Sequence, residues 1–264
     1  MAQNINEYWD QKEQNAYKAR KHTKEMKEKY SKEIDECINT TLAYASSFVC
    51  TKGKGQIPKI DLIDADSVTA IFNEHSKNGK MCVLNFASFK EPGGRFIDGS
   101  MAQEEALCHE SFLYNVLKEQ TEFYEWNKKN LNYSQYKNHA LYSSDVIFER
   151  NGEKIKCDVL TCAAPNITPA KKYGFPVTEA QNYINLGNRI SYILDVAESN
   201  YVDTLILGAY GCGVFGQDPK IVCEYFLQFL NSGKYMFKNI IFAIPKTKNG
   251  NYEAFEKTMN ERGI

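Results

Sequence analysis

Short apolar runs alternate along this chain with longer segments whose apolar residues recur every three to four positions. Met81 to Phe86 is a compact apolar run rich in strand formers, the pattern of a buried strand. Ile60–Ile63, Asp158–Ala163, Thr204–Leu207 and Asn239–Ile244 read the same way. Helical spacing predicts helices over Val68–Glu74, Ala180–Glu198 and Pro219 to about Leu230. Asp66-Ser67 forms an N-cap pair for the first of these, and Asp218 caps the last, with Pro219 at its first position and Gly233 past its end. From Ala102 a helix is predicted to carry Ala106, Leu113, Val116 and Leu117 on one face. Asn15 to Ile38 has few breakers and many charges of both signs, so it reads as a helix with salt pairs on a solvated face. Glu122–Tyr142 shows no clean period and reads as an irregular loop with helical pieces. Ile167–Thr178, with two prolines and Gly174, reads as a loop, and the C-terminal stretch as a helix. Strands alternating with helices predict an α/β sheet covered on both faces.

Composition narrows the function classes. The 264 residues can bury a sizeable core in one domain, and the formal net charge of −1 gives no bulk signal for nucleic acid. No apolar run has the length of a membrane span and no signal-peptide pattern opens the chain, so a soluble cytoplasmic protein is expected, or a nuclear one in a eukaryote. The eight cysteines include no Cys-x-x-Cys pair and read as reduced core thiols. His22, His75, His109 and His139 stand apart from one another, so no metal site is predicted from local spacing. Lys52-Gly53-Lys54-Gly55 reads as an exposed loop.

Two glycine-rich stretches carry the candidate chemistry. In the first, Asn85-Phe86-Ala87-Ser88 ends a strand, Pro92-Gly93-Gly94 turns the chain, and Gln103-Glu104-Glu105 opens a helix. Adjacent glycines permit positive φ and let a ligand reach bare backbone. Acidic residues suit a helix N-terminus on electrostatic grounds alone. The second, Gly211-Cys212-Gly213-Val214-Phe215-Gly216, fits G-x-G-x-x-G between a strand and a helix. Its N–H groups suit a pyrophosphate, and Phe215 offers an aromatic face or a plug for the loop base. A Rossmann-type oxidoreductase is the rival reading. It is weakened because the motif lies late in the chain, the helix starts past the last glycine, and the next strand ends in Pro245-Lys246 with no acid for a ribose.

Taken together, these stretches resemble the signature of microbial poly(ADP-ribose) glycohydrolases, a branch of the macrodomain superfamily. The family's Asn-Phe-Ala strand end, Pro-Gly-Gly-Gly loop and Gln-Glu-Glu helix start recur here, with Arg95 in place of the third glycine. The likeness returns in Cys162-Ala163-Ala164-Pro165-Asn166 and in Leu207 to Gly216, and runs from about Ile60 to Pro245. It implies a three-layer α/β/α mixed sheet with a helical extension over residues 1–45 packed on a catalytic domain, 46–264. It also implies cleavage of ribose–ribose bonds in ADP-ribose polymers, with Glu105 as acid and then base and Glu104 holding ribose hydroxyls. ADP-ribose would be bound by Asn85, Gly93, Gly94, Arg95, Gln103, Gly211, Cys212, Gly213, Val214, Phe215 and Gly216. Asp66 takes either the capping role or an adenine contact. Arg95 could restrict the loop, contact phosphate or face outward. No metal or cofactor is implied; the expected partners are ADP-ribose and ADP-ribosylated proteins, and a monomer is expected. A non-catalytic ADP-ribose reader and a hydrolase of another ADP-ribosyl linkage remain the rivals.

Overall fold

The computed structural model describes residues 2–50, 55–74 and 79–264, with backbone alone for 2–8. The Lys52–Lys54 part of the predicted exposed loop and His75 lie outside the described residues. A seven-stranded mixed sheet forms the middle layer. Its strands are β1 (Leu42–Tyr44), β2 (Lys59–Ile63), β3 (Met81–Phe86), β4 (Ala140–Arg150), β5 (Glu153–Cys162), β6 (Thr204–Leu207) and β7 (Asn239–Ala243), in the spatial order β1-β4-β5-β3-β6-β7-β2. Strands β5, β3, β6, β7 and β2 run parallel, and β4 and β1 add antiparallel to the β5 edge.

Alternation along the strands divides the core in two. Cys82 and Leu84 of β3 point into the layer formed by α8 (Glu179–Ser199), α9 (Pro219–Leu230) and α10 (Asn251–Glu261). Val83 points to the other face, covered by α1 (Ala2–Lys29), α2 (Ser31–Thr40), α3 (Ser67–Glu74), α4 (Gln103–His109), α5 (Leu113–Leu117) and α6 (Thr121–Lys129). A strand buried on both faces is apolar over most of its length, which is why Met81–Leu84 reads as a continuous run ahead of the buried Asn85.

Several elements differ from expectation. The N-terminal segment is two helices broken at Tyr30, and its face Ala19, Met26, Tyr30, Ile34 and Cys37 is buried in the second core. The outer face carries exposed pairs such as Lys21–Glu25 and Lys24–Glu28. The single helix expected from Ala102 is α4 plus α5. Between them Ser111 bridges to Phe148 of β4, while its hydroxyl donates to Leu107 O and accepts from Leu113 N–H. Strand β4 was hidden inside and beyond the irregular stretch, because a bulge between Ser143 and Val146 breaks its alternation. Strand β1 has three residues and no legible period. The predicted loop 167–178 contains α7 (Thr168–Tyr173), closed by Gly174 at φ +68.

Strand order reverses beside β3: the chain goes next to β4 and β5 on one side, then to β6 on the other. The carboxyl ends of β3, β5 and β6 therefore border a crevice at a topological switch point, where ligands bind in open α/β sheets.

Candidate active site

The loop after β3 runs through Gly93 and Gly94, both at positive φ (+65 and +62). A methyl group on Gly93 would meet the Tyr114 ring at 2.7 Å. On Gly94 it would lie 2.6 Å from Glu105 Oε1 and 2.9 Å from Glu104 Oε2. The two carboxylates thus converge on the same side of this loop, although neighbouring helix residues project about 100° apart.

Each carboxylate is held differently. Glu104 Oε1 accepts from Asn85 Nδ2 at 3.2 Å, and Oε2 accepts from Ser88 N–H at 2.7 Å. Glu105 Oε1 accepts from Arg95 N–H at 2.9 Å, and Oε2 from Ala102 N–H at 3.0 Å. The latter is the reciprocal half of a capping box; Ala102, with no side-chain oxygen, cannot form the other half. Both glutamates are buried. Burial pushes the Glu104 carboxyl up to about 8, with the donors from Ser88 and Asn85 opposing and the charge of Glu105 adding. At neutral pH the Glu104 carboxyl therefore retains its proton.

Asn85 lies beneath the cavity rather than on its wall. It is fully buried in β3, and its amide donates to Glu104 and to Thr161 Oγ1 at 3.2 Å. Gln103 fastens the helix start: its Oε1 accepts from Phe86 N–H at 2.9 Å, and its Nε2 donates to Leu84 O and Ser67 Oγ. Arg95 contributes backbone to the site while its exposed guanidinium folds onto Asp98 at 3.1 Å. Arg95 is not among the residues at positive φ, so this third position tolerates a side chain. The extension braces the same loop. Asn15 Nδ2 donates to Gly99 O, and Gly99, at φ +82, packs so closely on α1 that a methyl group would sit 2.0 Å from Lys12 O.

The second glycine loop follows β6. Gly211 (φ +75) packs on Ala164 and Gly216 (φ +71) on Thr168, whereas a methyl group on Gly213 would meet open space. Cys212 N–H donates to Ala209 O and Gly216 N–H to Gly213 O. Among the described residues, the N–H groups of Gly213, Val214 and Phe215 have no protein acceptor. Val214 is 82% exposed, and burial pushes the Cys212 thiol up. Phe215 is half-buried against the first core, with its ring 6.2 Å from that of Tyr136, so the stacking and core roles are not mutually exclusive.

Two cavities of about 460 and 430 Å3 adjoin here. The larger is lined by Ser88, Gly94, Glu104, Glu105, Val214 and Phe215. The smaller runs from Asp66 and Ser67 to Thr247, Asn249 and Asn251. They share Phe86, Ala102, Gln103, Ala209 and Gly213 as a common waist. Asp66 lines the smaller cavity and also caps α3, accepting from Thr69 N–H at 2.8 Å. Arg95 is the one cationic residue lining either cavity among the described residues, and its guanidinium is turned to Asp98, so an anion here would meet mainly backbone N–H groups.

Sequence reasoning missed Ser88 as a backbone donor, Thr161, Phe86, and the support behind the second loop. Arg189, fully buried on α8, donates to Ala163 O, Tyr136 O and Asn138 Oδ1; among the described residues no carboxylate lies within ion-pair distance. Nothing in the spacing of α8 distinguishes this arginine from a surface one.

The α/β/α layer order is macrodomain-like, and it sets two buried glutamates beside a cleft at the sheet's switch point. The model of the microbial-type PARG catalytic domain matches residues 9–151, and the chain belongs to that family, whose reaction is glycoside hydrolysis. The poly(ADP-ribose) glycohydrolase of Thermomonospora curvata is similar at 25% identity and TM-score 0.83, over 93% of this chain and 99% of that one. The same enzyme bound to the inhibitor ADP-HPD gives 25% and 0.81 over the same shares. The Deinococcus radiodurans enzyme in complex with ADP-ribose gives 25% and 0.77, over 88% and 98%. No curated protein matches the chain. Among the described residues no helix is long and apolar enough to cross a membrane.

Proposed function

We propose that the chain binds the terminal ADP-ribose of a polymer across its two cavities and hydrolyses the ribose–ribose bond beside Glu104 and Glu105. The observation that carries this reading is the convergence of two buried carboxyls on Gly94, opposite a loop with unoccupied N–H groups, inside one continuous crevice. The diphosphate would accept from Gly213, Val214 and Phe215 N–H at the waist. The adenosine would fill the smaller cavity toward Asp66, and the distal ribose would lie against the glutamates. ADP-ribosylated proteins and free ADP-ribose are the partners this implies.

Glu105 protonates the leaving ribose oxygen as the glycosidic bond breaks and its electron pair passes to that oxygen. A water then adds to the oxocarbenium-like carbon and returns its proton to Glu105. Glu104, anchored from below by Asn85 and Ser88, orients ribose hydroxyls. A second reading exchanges the two roles. It is favoured by the elevated Glu104 carboxyl, which holds a proton at neutral pH. Comparing Glu105→Gln with Glu104→Gln separates them, since the residue that carries the proton gives the larger fall in turnover at unchanged ADP-ribose affinity.

The defining experiment incubates the protein with poly(ADP-ribose) and with mono-ADP-ribosylated protein and measures released ADP-ribose. Release from polymer is expected. Tight ADP-ribose binding with no release from either substrate would make the protein a reader.

A further inference from the structure

Beside the larger cavity the chain adopts a conformation that its residues do not favour. Asn132, Tyr133, Ser134 and Tyr136 have φ of 45, 51, 65 and 55. Left-handed backbone at tyrosine is uncommon and persists only where surroundings enforce it. The enforcement is visible. Asn166 N–H donates to Ser134 O at 2.8 Å, Gln135 is held by Asn166 O and Asn185, and the buried guanidinium of Arg189 donates to Tyr136 O at 3.1 Å. The result is a row of aromatic faces. Tyr136 stacks on Phe89 at 4.3 Å and 14° and turns toward Phe215. Tyr133 is left 60% exposed, its ring 6.5 Å from that of Phe175 and edge-on to it at 78°, with Phe175 itself 40% exposed, so one open face and one open edge are presented. The segment is tied to the site through the backbone, because consecutive N–H groups hold both ends: Asn166 N–H donates to Ser134 O and Ile167 N–H to Phe215 O. Lys137, Lys171 and Lys172 are exposed on the same two segments.

We propose that Tyr133 and Phe175 form a stacking subsite for the adenine of the neighbouring ADP-ribose unit, across the scissile bond from the unit in the cavities. Flat aromatic faces interleaved with lysines suit a ligand that repeats a base and a diphosphate. The inference rests on the polymer reading given above and adds to it a preference for substrates longer than one unit.

The test uses the Glu105→Gln protein with fluorescent oligo(ADP-ribose) of several units and with ADP-ribose, in anisotropy and calorimetry. Adding Tyr133→Ala and Phe175→Ala is expected to weaken the oligomer about tenfold, leave ADP-ribose affinity unchanged, and be largely rescued by Tyr133→Phe. Both side chains are exposed, so the melting temperature should hold. Unchanged oligomer affinity, or equal weakening of both ligands, would overturn the subsite while leaving the polymer reading in place. Binding of neither ligand by the Glu105→Gln protein would overturn both. A single-stranded RNA bound more tightly than oligo(ADP-ribose), through the same two residues, would reassign the surface to nucleic acid.

Discussion

The two glycine loops of this site use the same residue for opposite ends. At Gly93 and Gly94 the missing side chain admits protein groups: the Tyr114 ring packs on one, and both carboxylates close on the other. That loop is a socket: the N–H group of Arg95, with those of Ser88 and Ala102, points at glutamates of the protein itself. At Gly213 the missing side chain faces open space, and among the described residues the neighbouring N–H groups have no protein acceptor. One loop organises the two glutamates; the other, in the proposed reading, is itself the binding surface. A glycine-rich motif is therefore not one physical device, and substitutions in the two loops should fail in different ways.

The largest effect is expected at Glu105. Glu105→Gln keeps the size of the side chain and one of its two backbone acceptor contacts but cannot cycle a proton, so turnover on polymer should fall ~10²–10⁴-fold. ADP-ribose should bind as well or more tightly, because a negative charge near the diphosphate is gone. Full hydrolysis by this variant would remove Glu105 from the chemistry.

Next comes the direct contrast between the loops. Gly94→Ala puts a methyl group against both carboxylates at a positive φ, costing about 1–3 kcal/mol and most of the activity. Gly213→Ala meets no neighbour, so its melting temperature should match the parent. Equal loss of stability in the two variants would contradict the socket-and-surface distinction. Phe215→Ala should weaken ADP-ribose about tenfold at modest cost in stability, taking aromatic stacking at about 1–3 kcal/mol. A large drop in melting temperature with unchanged affinity would instead make Phe215 a core plug.

The pH dependence follows from Glu104. Its folded carboxyl titrates near 8, against about 4.3 for a free glutamate. Between those values the folded state holds a proton that the unfolded state has lost, so stability declines as pH rises across the window and is lowest above 8. Melting curves between pH 5 and 9 should show this decline in the parent and not in Glu104→Gln. The smallest effect is expected at Arg95. Its guanidinium is solvated and paired with Asp98, so Arg95→Gly should change stability by no more than about 1 kcal/mol. A change in the ratio of activities on polymer and on mono-ADP-ribosyl substrates would show that the side chain reaches substrate.

Much of the fold was legible because burial leaves a period. The strand bounds 81–86 and 204–207 and the capped start of α9 follow directly from apolar runs and from Asp218-Pro219. Strand β4 was not legible, since its bulge and the Ser-Ser-Asp stretch interrupt alternation while pairing with β5 supplies the hydrogen bonds. The break between α4 and α5 was hidden for a related reason, because Ser111 trades helical bonds for a bridge to a strand 37 positions away.

At the site, local sequence determined which residue types line the cleft: glycines where the backbone must turn with positive φ, and two acids at a helix start, where the dipole favours them. Those preferences act over a few residues and need no knowledge of the rest of the chain. Tertiary structure alone decided how the groups are used. It set Asn85 beneath Glu104 instead of on the cavity wall, and made Gln103 a fastening between β3 and α3. It turned the Arg95 side chain to solvent, and brought a buried arginine from α8 under Tyr136. Each outcome depends on which distant partner fills the other half of a hydrogen bond. The dielectric around a carboxylate, and with it the proton on Glu104, exists only once those partners have excluded water.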